Sequence, residues 1–174
     1  MGRNVEIKAR ASDFERQQQI AAKIAESAPQ GIAQEDTFFH CSTGRLKLRK
    51  LGSAEGELIA YTRADAAGPK QSQYEIALTD DPDQLEQVLA SALGRRGVVR
   101  KKRTLYLVGQ TRIHFDEVEG LGRFIELEVV LLPNQDRSEG QRIAQRLMDE
   151  LGIVEDELIS GAYLDMGKES NQAP

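Results

Sequence analysis

Arg112 to Val130 reads RIHFDEVEGLGRFIELEVV, two alternating runs on either side of Gly120-Leu121-Gly122. Alternation interrupted by a glycine turn predicts a β-hairpin. Successive side chains of a strand point to opposite faces, so Arg112, His114 and Asp116 share one face of the first arm, and Glu126 and Glu128 share one face of the second. Ile113, Phe115, Ile125, Leu127 and Val129 take the opposite faces and supply core. One side of the hairpin is apolar and the other collects carboxylates. From pattern alone, the commoner arrangement of this kind is a sheet with one wet side; a metal site is the alternative.

Outward from the hairpin the same period recurs. Gly97 to Val108 is the longest strand candidate, with Lys101, Arg103, Leu105 and Leu107 in one phase, and Gly109-Gln110 suits a two-residue turn into the hairpin. Arg45 to Leu51 sets Arg45, Lys47 and Arg49 on one face with Leu46 and Leu48 behind them. Glu57 to Arg63 and Tyr74 to Leu78 extend this region of antiparallel hairpins, Gln34 to Cys41 precedes it, and Ala64 to Ser72 reads as an exposed loop around Gly68-Pro69. At the front, Arg3 to Arg10 places Val5, Ile7 and Ala9 opposite Asn4, Glu6, Lys8 and Arg10.

Three helices are expected between and after the strands. The first opens on Ser12 with Glu15 as its capping-box partner and stops before Pro29. The second opens on Asp81-Pro82, closes at Gly94 and buries Leu85, Val88, Leu89 and Leu93. The third runs from Ser138, with Gln141 as partner, to Gly152, and buries Ile143, Leu147, Met148 and Leu151. The expectation is an α+β fold dominated by antiparallel sheet, forming one domain over 1–166 followed by a disordered tail over 167–174.

The charges are sorted rather than mixed. Arg45, Lys47, Arg49, Arg63, Lys101, Arg103 and Arg112 fall on strands whose other face is largely apolar, and Glu6, Asp116, Glu126 and Glu128 form an acidic counterpart. If the sheet curls into a barrel with helices outside, the apolar faces meet the helices and the charged faces line a tunnel. A basic wall calls for an anion and an acidic wall for cations. A polyphosphate carrying a divalent metal meets both demands, since arginine forks and lysine ammoniums match phosphate oxygens and Mg²⁺ or Mn²⁺ takes carboxylate oxygens.

Composition narrows the rest. With 28 acidic against 23 basic residues among 174, the net charge of −5 argues against a nucleic-acid binder. The single cysteine, Cys41, rules out an internal disulfide and a multi-cysteine zinc site, suits a reducing cytoplasm, and reads as a small buried hydrophobe. The charged start MGRNVEIKAR lacks the apolar run of a signal peptide, and no window approaches a membrane span. The expected setting is cytoplasmic, with no membrane partner.

The ordered series VEIKAR, RLKLRK, ELIAYTR, KKRTLY, RIHFDEVEGLG and FIELEV resembles the CYTH superfamily of class IV adenylyl cyclases and thiamine triphosphatases, also called triphosphate tunnel metalloenzymes. The resemblance spans residues 4 to at least 130 and implies an eight-stranded antiparallel β-barrel with helices packed outside. It assigns Lys8, Arg45, Lys47, Arg49, Arg63, Arg103 and Arg112 to phosphate binding, and Glu6, Asp116, Glu126 and Glu128 to the metal, Mg²⁺ or Mn²⁺. Lys8 and Asp116 are the implied catalytic pair, Lys8 serving as a base if its pKa is lowered and otherwise as a phosphate grip. The family's N-terminal ExExK motif begins with glutamate where this chain has Asn4, which offers a neutral oxygen and no charge.

The implied substrate is a triphosphate-bearing small molecule: ATP, tripolyphosphate or thiamine triphosphate. The HFDEVEGLG hairpin is more similar to the cyclase branch, which turns ATP into cyclic AMP and pyrophosphate. A triphosphatase using the same site is the alternative, and a noncatalytic polyphosphate binder a second one. Tyr61 and Tyr74 could approach a nucleobase or simply pack; His114 could carry a proton or be a hydrogen-bonded interior histidine. A homodimer would suit the family.

Overall fold

Eight strands close on themselves through antiparallel pairs in the order β1-β5-β4-β3-β2-β6-β7-β8. They are β1 (Gly2–Arg10), β2 (Gln30–Phe39), β3 (Arg45–Lys50), β4 (Gly56–Arg63), β5 (Lys70–Thr79), β6 (Arg95–Val108), β7 (Thr111–Val118) and β8 (Gly122–Val130). Four helices accompany them: α1 (Phe14–Ile24), α2 (Pro82–Leu93), α3 (Arg137–Leu151) and α4 (Tyr163–Ser170). The structure, a computed structural model, describes residues 2–52 and 54–170. β1 completes the closure by pairing with β5 through Glu6↔Lys70 and with β8 through Glu6↔Glu128. Full closure leaves no free sheet edge and separates an inner from an outer face on every strand.

The outer faces of β1, β6, β7 and β8 carry the main core. Ile7, Ala9, Tyr106, Ile113, Phe115, Ile125 and Leu127 pack against Phe14 and Ala21 of α1 and Leu147, Met148 and Leu151 of α3. Phe115 is enclosed edge-on by Phe14 and Tyr106, with ring centroids 5.4 and 5.6 Å away. Truncating such a residue to alanine costs about 3–5 kcal/mol through lost burial and the cavity left behind. α3 approaches β1 closely where it has Gly140; a Cβ there would stand 2.6 Å from Val5 Cγ2, so any larger residue would force the helix outward.

The hairpin from Thr111 to Val130 pairs as its alternation predicts, with His114 opposite Glu126 and Arg112 opposite Glu128. Several boundaries differ from expectation. α1 is capped by Asp13, which accepts from Arg16 N, and α3 by Asp136 in a reciprocal capping box with Glu139; Ser12 and Ser138 each sit beside a stronger aspartate acceptor. α2 begins at Asp81-Pro82 and ends at Gly94 as expected. Its apolar stripe is only partly buried, however: Leu85 and Leu89 are half-buried, while Val88 is 53% and Leu93 38% exposed. The helix instead turns Glu86 inward between Lys50 and Arg95, at 2.6 and 2.8 Å, because the strands beneath it present cations there.

The expected loop Ala64–Ser72 ends early, since β5 already begins at Lys70, and Cys41 is exposed rather than buried. Gly167 to Ser170, expected within a disordered tail, complete α4; residues 171–174 lie outside the described residues.

Candidate active site

Barrel closure turns the sequence alternation into an interior. Asn4, Glu6 and Lys8 of β1, Glu126 and Glu128 of β8, Lys47 and Arg49 of β3, Arg63 of β4 and Arg112 of β7 all line one cavity of about 890 Å³ including its open mouth. The carboxylates cluster because β1, β8 and β7 are neighbours: Glu126 lies across from both Lys8 and His114, and Glu128 across from both Glu6 and Arg112. Glu126 Oε1 meets Lys8 Nζ at 3.1 Å and its Oε2 meets Arg103, while His114 Nδ1 stands 3.9 Å from Glu126 Oε2 and 3.8 Å from Glu128 Oε1. Burial alone would raise the Glu126 pKa, but Lys101, Lys8 and Arg103 hold it well below the usual carboxylate range. Burial, helped by Arg103, pushes His114 down to about 3, so its imidazole is neutral at neutral pH.

The basic wall is organised by a residue that strand phase alone did not single out. Asp36, buried on β2, accepts from Lys47 Nζ at 2.8 Å, Arg49 Nε at 3.1 Å and Gln34 Nε2 at 3.0 Å. Burial opposes its charge, but Lys47, Arg49 and Lys101 drive its pKa far below the ordinary value. Burial in turn lowers Lys47 to about 8, with Arg49 contributing. Asp36 lies in the Gln34-to-Cys41 strand, whose interior face mixes Gln34 and Phe38 with the acid and so gives no charge stripe to read.

The remaining predicted residues divide. Arg63 pairs with Oε1 of Glu6, which also lines the cavity. Arg63 Nε and Nη2 are nevertheless buried without a partner among the described residues. Arg112 stands near the mouth, 45% exposed at its side chain and 3.5 Å from Glu128. Arg45 lies outside the cavity lining and pairs with Asp65 at 2.6 Å.

Asp116 is not where a metal ligand and catalytic group is expected. It is fully buried, holds Lys101 at 2.8 Å and Arg103 through two bonds of 2.7 Å, and accepts a fourth from the Tyr163 hydroxyl at 3.0 Å. Burial would raise its pKa, yet Arg103 and Lys101 keep it lowered, so it is a poor proton acceptor. Its place is to hold Arg103, which reaches on to Glu126.

Tyr163 was beyond the reach of strand-phase reasoning because α4 is short. Its ring packs with Phe38, Val99, Val118 and Phe124 to close one end of the barrel. Lys8 Nζ sits 3.6 Å above that ring. Buried Lys70, also absent from the expected site, ties the preceding segment down by donating to the carbonyls of Ala66, Ile159 and Ser160 at 2.9, 3.2 and 3.0 Å. Burial lowers its pKa to about 8, with Arg63 adding to the effect.

One part of the interior is not charged. Ile59 pairs with Ile76 and Tyr61 with Tyr74 across β4 and β5, and all four line the cavity. Tyr74 can lie flat there because its partner on β1 is Gly2, where a Cβ would stand 2.3 Å from the ring. The site therefore has three walls of different chemistry: cationic, acidic and apolar.

The residues present fit a divalent cation on the acidic wall. His114, Glu126 and Glu128 offer ligand atoms within 4.8 Å of one another, and His114 Nδ1 and Asn4 Oδ1 are buried without partners among the described residues. Residues 2–163 match the family model of the CYTH domain. The chain belongs to the CYTH family. CYTH proteins are triphosphate-processing enzymes, and this chain shares their closed barrel.

Solved structures agree in fold. The PH1012 protein of Pyrococcus horikoshii superposes with a TM-score of 0.82 at 21% identity, over 93% of this chain and 98% of that one. An adenylate cyclase candidate from Vibrio parahaemolyticus gives 0.70 at 18%, over 98% of both chains. HpAC1 from Hippeastrum, named as an adenylyl cyclase candidate and described as having a dominant triphosphatase activity, gives 0.66 at 14%, over 100% and 98%. A comparison with curated proteins finds no match. Among the described residues of this CYTH chain, no helix is long and apolar enough to cross a membrane.

Proposed function

We propose that this chain is a divalent-metal-dependent enzyme acting on an organic triphosphate, with ATP as substrate and cyclic AMP and pyrophosphate as products. The observation that carries the triphosphate reading is Arg63. Arg63 lines the cavity together with Lys47 and Arg49, and two of its guanidinium nitrogens are buried without a partner among the described residues. A buried donor without an acceptor is costly, and a phosphate oxygen entering this cavity would satisfy it.

The residues divide the work by position. Arg63, Lys47 and Arg49 would bind non-bridging phosphate oxygens, with Lys8 beside the acidic wall and Arg112 at the mouth. Arg103 is held by Asp116 and steadies Glu126 in turn, so both are positioning residues. Glu126 and Glu128 would hold Mg²⁺ or Mn²⁺, which when bound supplies charge neutralisation at phosphate oxygens. The cationic wall stabilises the negative charge that develops on the leaving pyrophosphate as the ribose 3′-oxygen bonds to the α-phosphorus, and Lys8, its pKa lowered by burial, would take the hydroxyl proton. The apolar panel of Ile59, Tyr61, Tyr74 and Ile76 favours a substrate with a planar organic end over bare tripolyphosphate.

Triphosphate hydrolysis is the second reading, favoured by the fold shared with HpAC1 and its stated triphosphatase activity. Incubating the purified protein with Mg²⁺ or Mn²⁺ and ATP, thiamine triphosphate or tripolyphosphate separates the two. Cyclic AMP with pyrophosphate is the expected outcome. Phosphate alone would select hydrolysis, and binding without any turnover would leave a noncatalytic polyphosphate binder.

A further inference from the structure

The acidic wall contains a nitrogen that its local hydrogen bonding does not use. The His114 side chain is only 5% exposed, and its Nδ1 has no hydrogen-bond partner among the described residues. That atom points at two carboxylate oxygens from 3.9 and 3.8 Å, beyond hydrogen-bond distance. Glu126 Oε2 is shared with Arg103, whereas Glu128 Oε1 has no Lys or Arg on it among the described residues. The arrangement follows from register, since His114 sits directly across from Glu126, with Glu128 the next interior position on the same strand.

The spacing suits a shared ion. With metal–ligand bonds of about 2.1 Å, two donors on one ion stand about 3.0 Å apart at right angles and about 4.2 Å apart when opposite. The two separations measured from His114 lie between these limits. Asn4, a cavity-lining residue, has a neutral Oδ1 that is also buried without a partner among the described residues and adds no charge.

We propose that His114 is a nitrogen ligand of the tunnel's divalent cation, so that the site takes first-row transition-metal dications such as Mn²⁺ and Co²⁺ in preference to Mg²⁺. The proposal rests on the metal-dependent reading above and adds a ligand and a selectivity to it. The chemical reason is the donor set. Mg²⁺ favours an all-oxygen octahedron and gives up water reluctantly, whereas Mn²⁺ is held by mixed glutamate and histidine sets in carboxylate-bridged centres and Co²⁺ binds nitrogen-containing sites more strongly again.

Metal binding tests this without reference to turnover. Metal-free protein is titrated with Mn²⁺ and Co²⁺, with Mg²⁺ as competitor, and no nucleotide is present. Pulsed EPR of bound Mn²⁺ then reports whether a nitrogen nucleus is coordinated. The expected result is a nitrogen coupling in the wild type, Mn²⁺ affinity about tenfold or more above that for Mg²⁺, and a Co²⁺ affinity higher again. His114→Gln should abolish the coupling and bring the Mn²⁺/Mg²⁺ ratio down about tenfold. The wild-type spectrum needs no variant, so misfolding of His114→Gln cannot mask the answer. Mn²⁺ bound with no nitrogen coupling would overturn the His114 ligand and leave the metal-dependent reading standing. No Mn²⁺ binding, with or without tripolyphosphate, would overturn both.

Discussion

The Tyr163 hydroxyl donates to Asp116 Oδ2 at 3.0 Å, joining a β7 carboxylate to a helix 47 positions further along the chain. Because the same carboxylate also holds Lys101 and Arg103, one contact links the closed end of the barrel to the cations of its interior. Tyr163→Phe should lower stability by about 1.5–3 kcal/mol, the range for a hydrogen bond to a charged acceptor. Asp116→Asn should cost more, about 3–5 kcal/mol, since two buried cations lose their counter-charge. Urea unfolding of the two variants checks the order. Equal losses would mean that the cations do not depend on Asp116.

Asp36 accepts from Lys47 and Arg49, the two cations that a polyanion in the cavity would also engage. Asp36→Asn is expected to destabilise the free protein by about 3 kcal/mol through uncompensated buried charge. The rise in Tm on adding tripolyphosphate should be larger than in the wild type, because the ligand then supplies the missing negative charge. Thermal unfolding with and without tripolyphosphate decides it. A smaller rise would show that Asp36 positions the two cations rather than competing for them.

Lys47 titrates at about 8 in the free protein, lowered chiefly by burial and by Arg49. The charged form grips phosphate, so binding is complete below that pH and weakens as the pH climbs through it, with unbound Lys47 losing its proton. Calorimetric titration with tripolyphosphate between pH 7 and 9, in metal-free buffer, should show this decline. Lys47→Arg, which stays charged, should flatten it. A decline of the same size in the variant would place its origin elsewhere.

The apolar panel is a statement about substrate. Tyr74→Ala should weaken ATP binding by about 1–3 kcal/mol, the range for loss of one aromatic stacking partner, and leave tripolyphosphate binding within twofold. Parallel losses for both ligands would assign Tyr74 to barrel packing instead.

Much of the site could be read before the fold was known. The period-two alternation of Arg45, Lys47 and Arg49, and of Glu126 and Glu128, places each set on one face of a strand whatever the strand pairs with. The register of the Thr111–Val130 hairpin also follows from its turn, and it puts His114 beside the two glutamates. Alternation failed where a strand's inner face changes character along its length. The inner face of β5 runs from Lys70 through Ser72 and Tyr74 to Ile76, and its first two positions carry no apolar alternation to set them apart from the Gly68-Pro69 loop.

Local sequence by itself determined the strand faces, the helix starts to within two residues of Ser12, Asp81 and Ser138, and the sorting of acid from base. These are matters of backbone geometry and of neighbours a few positions apart. Only the tertiary structure decided which sorted charges meet. Asp116 and Glu126 have the same residue chemistry and comparable strand positions, yet closure buries Asp116 against Lys101, Arg103 and Tyr163, while Glu126 faces the cavity with Glu128 and has buried His114 beside it. That division comes from barrel shear and from a helix arriving at the end of the chain, and neither is encoded in the spacing of one strand.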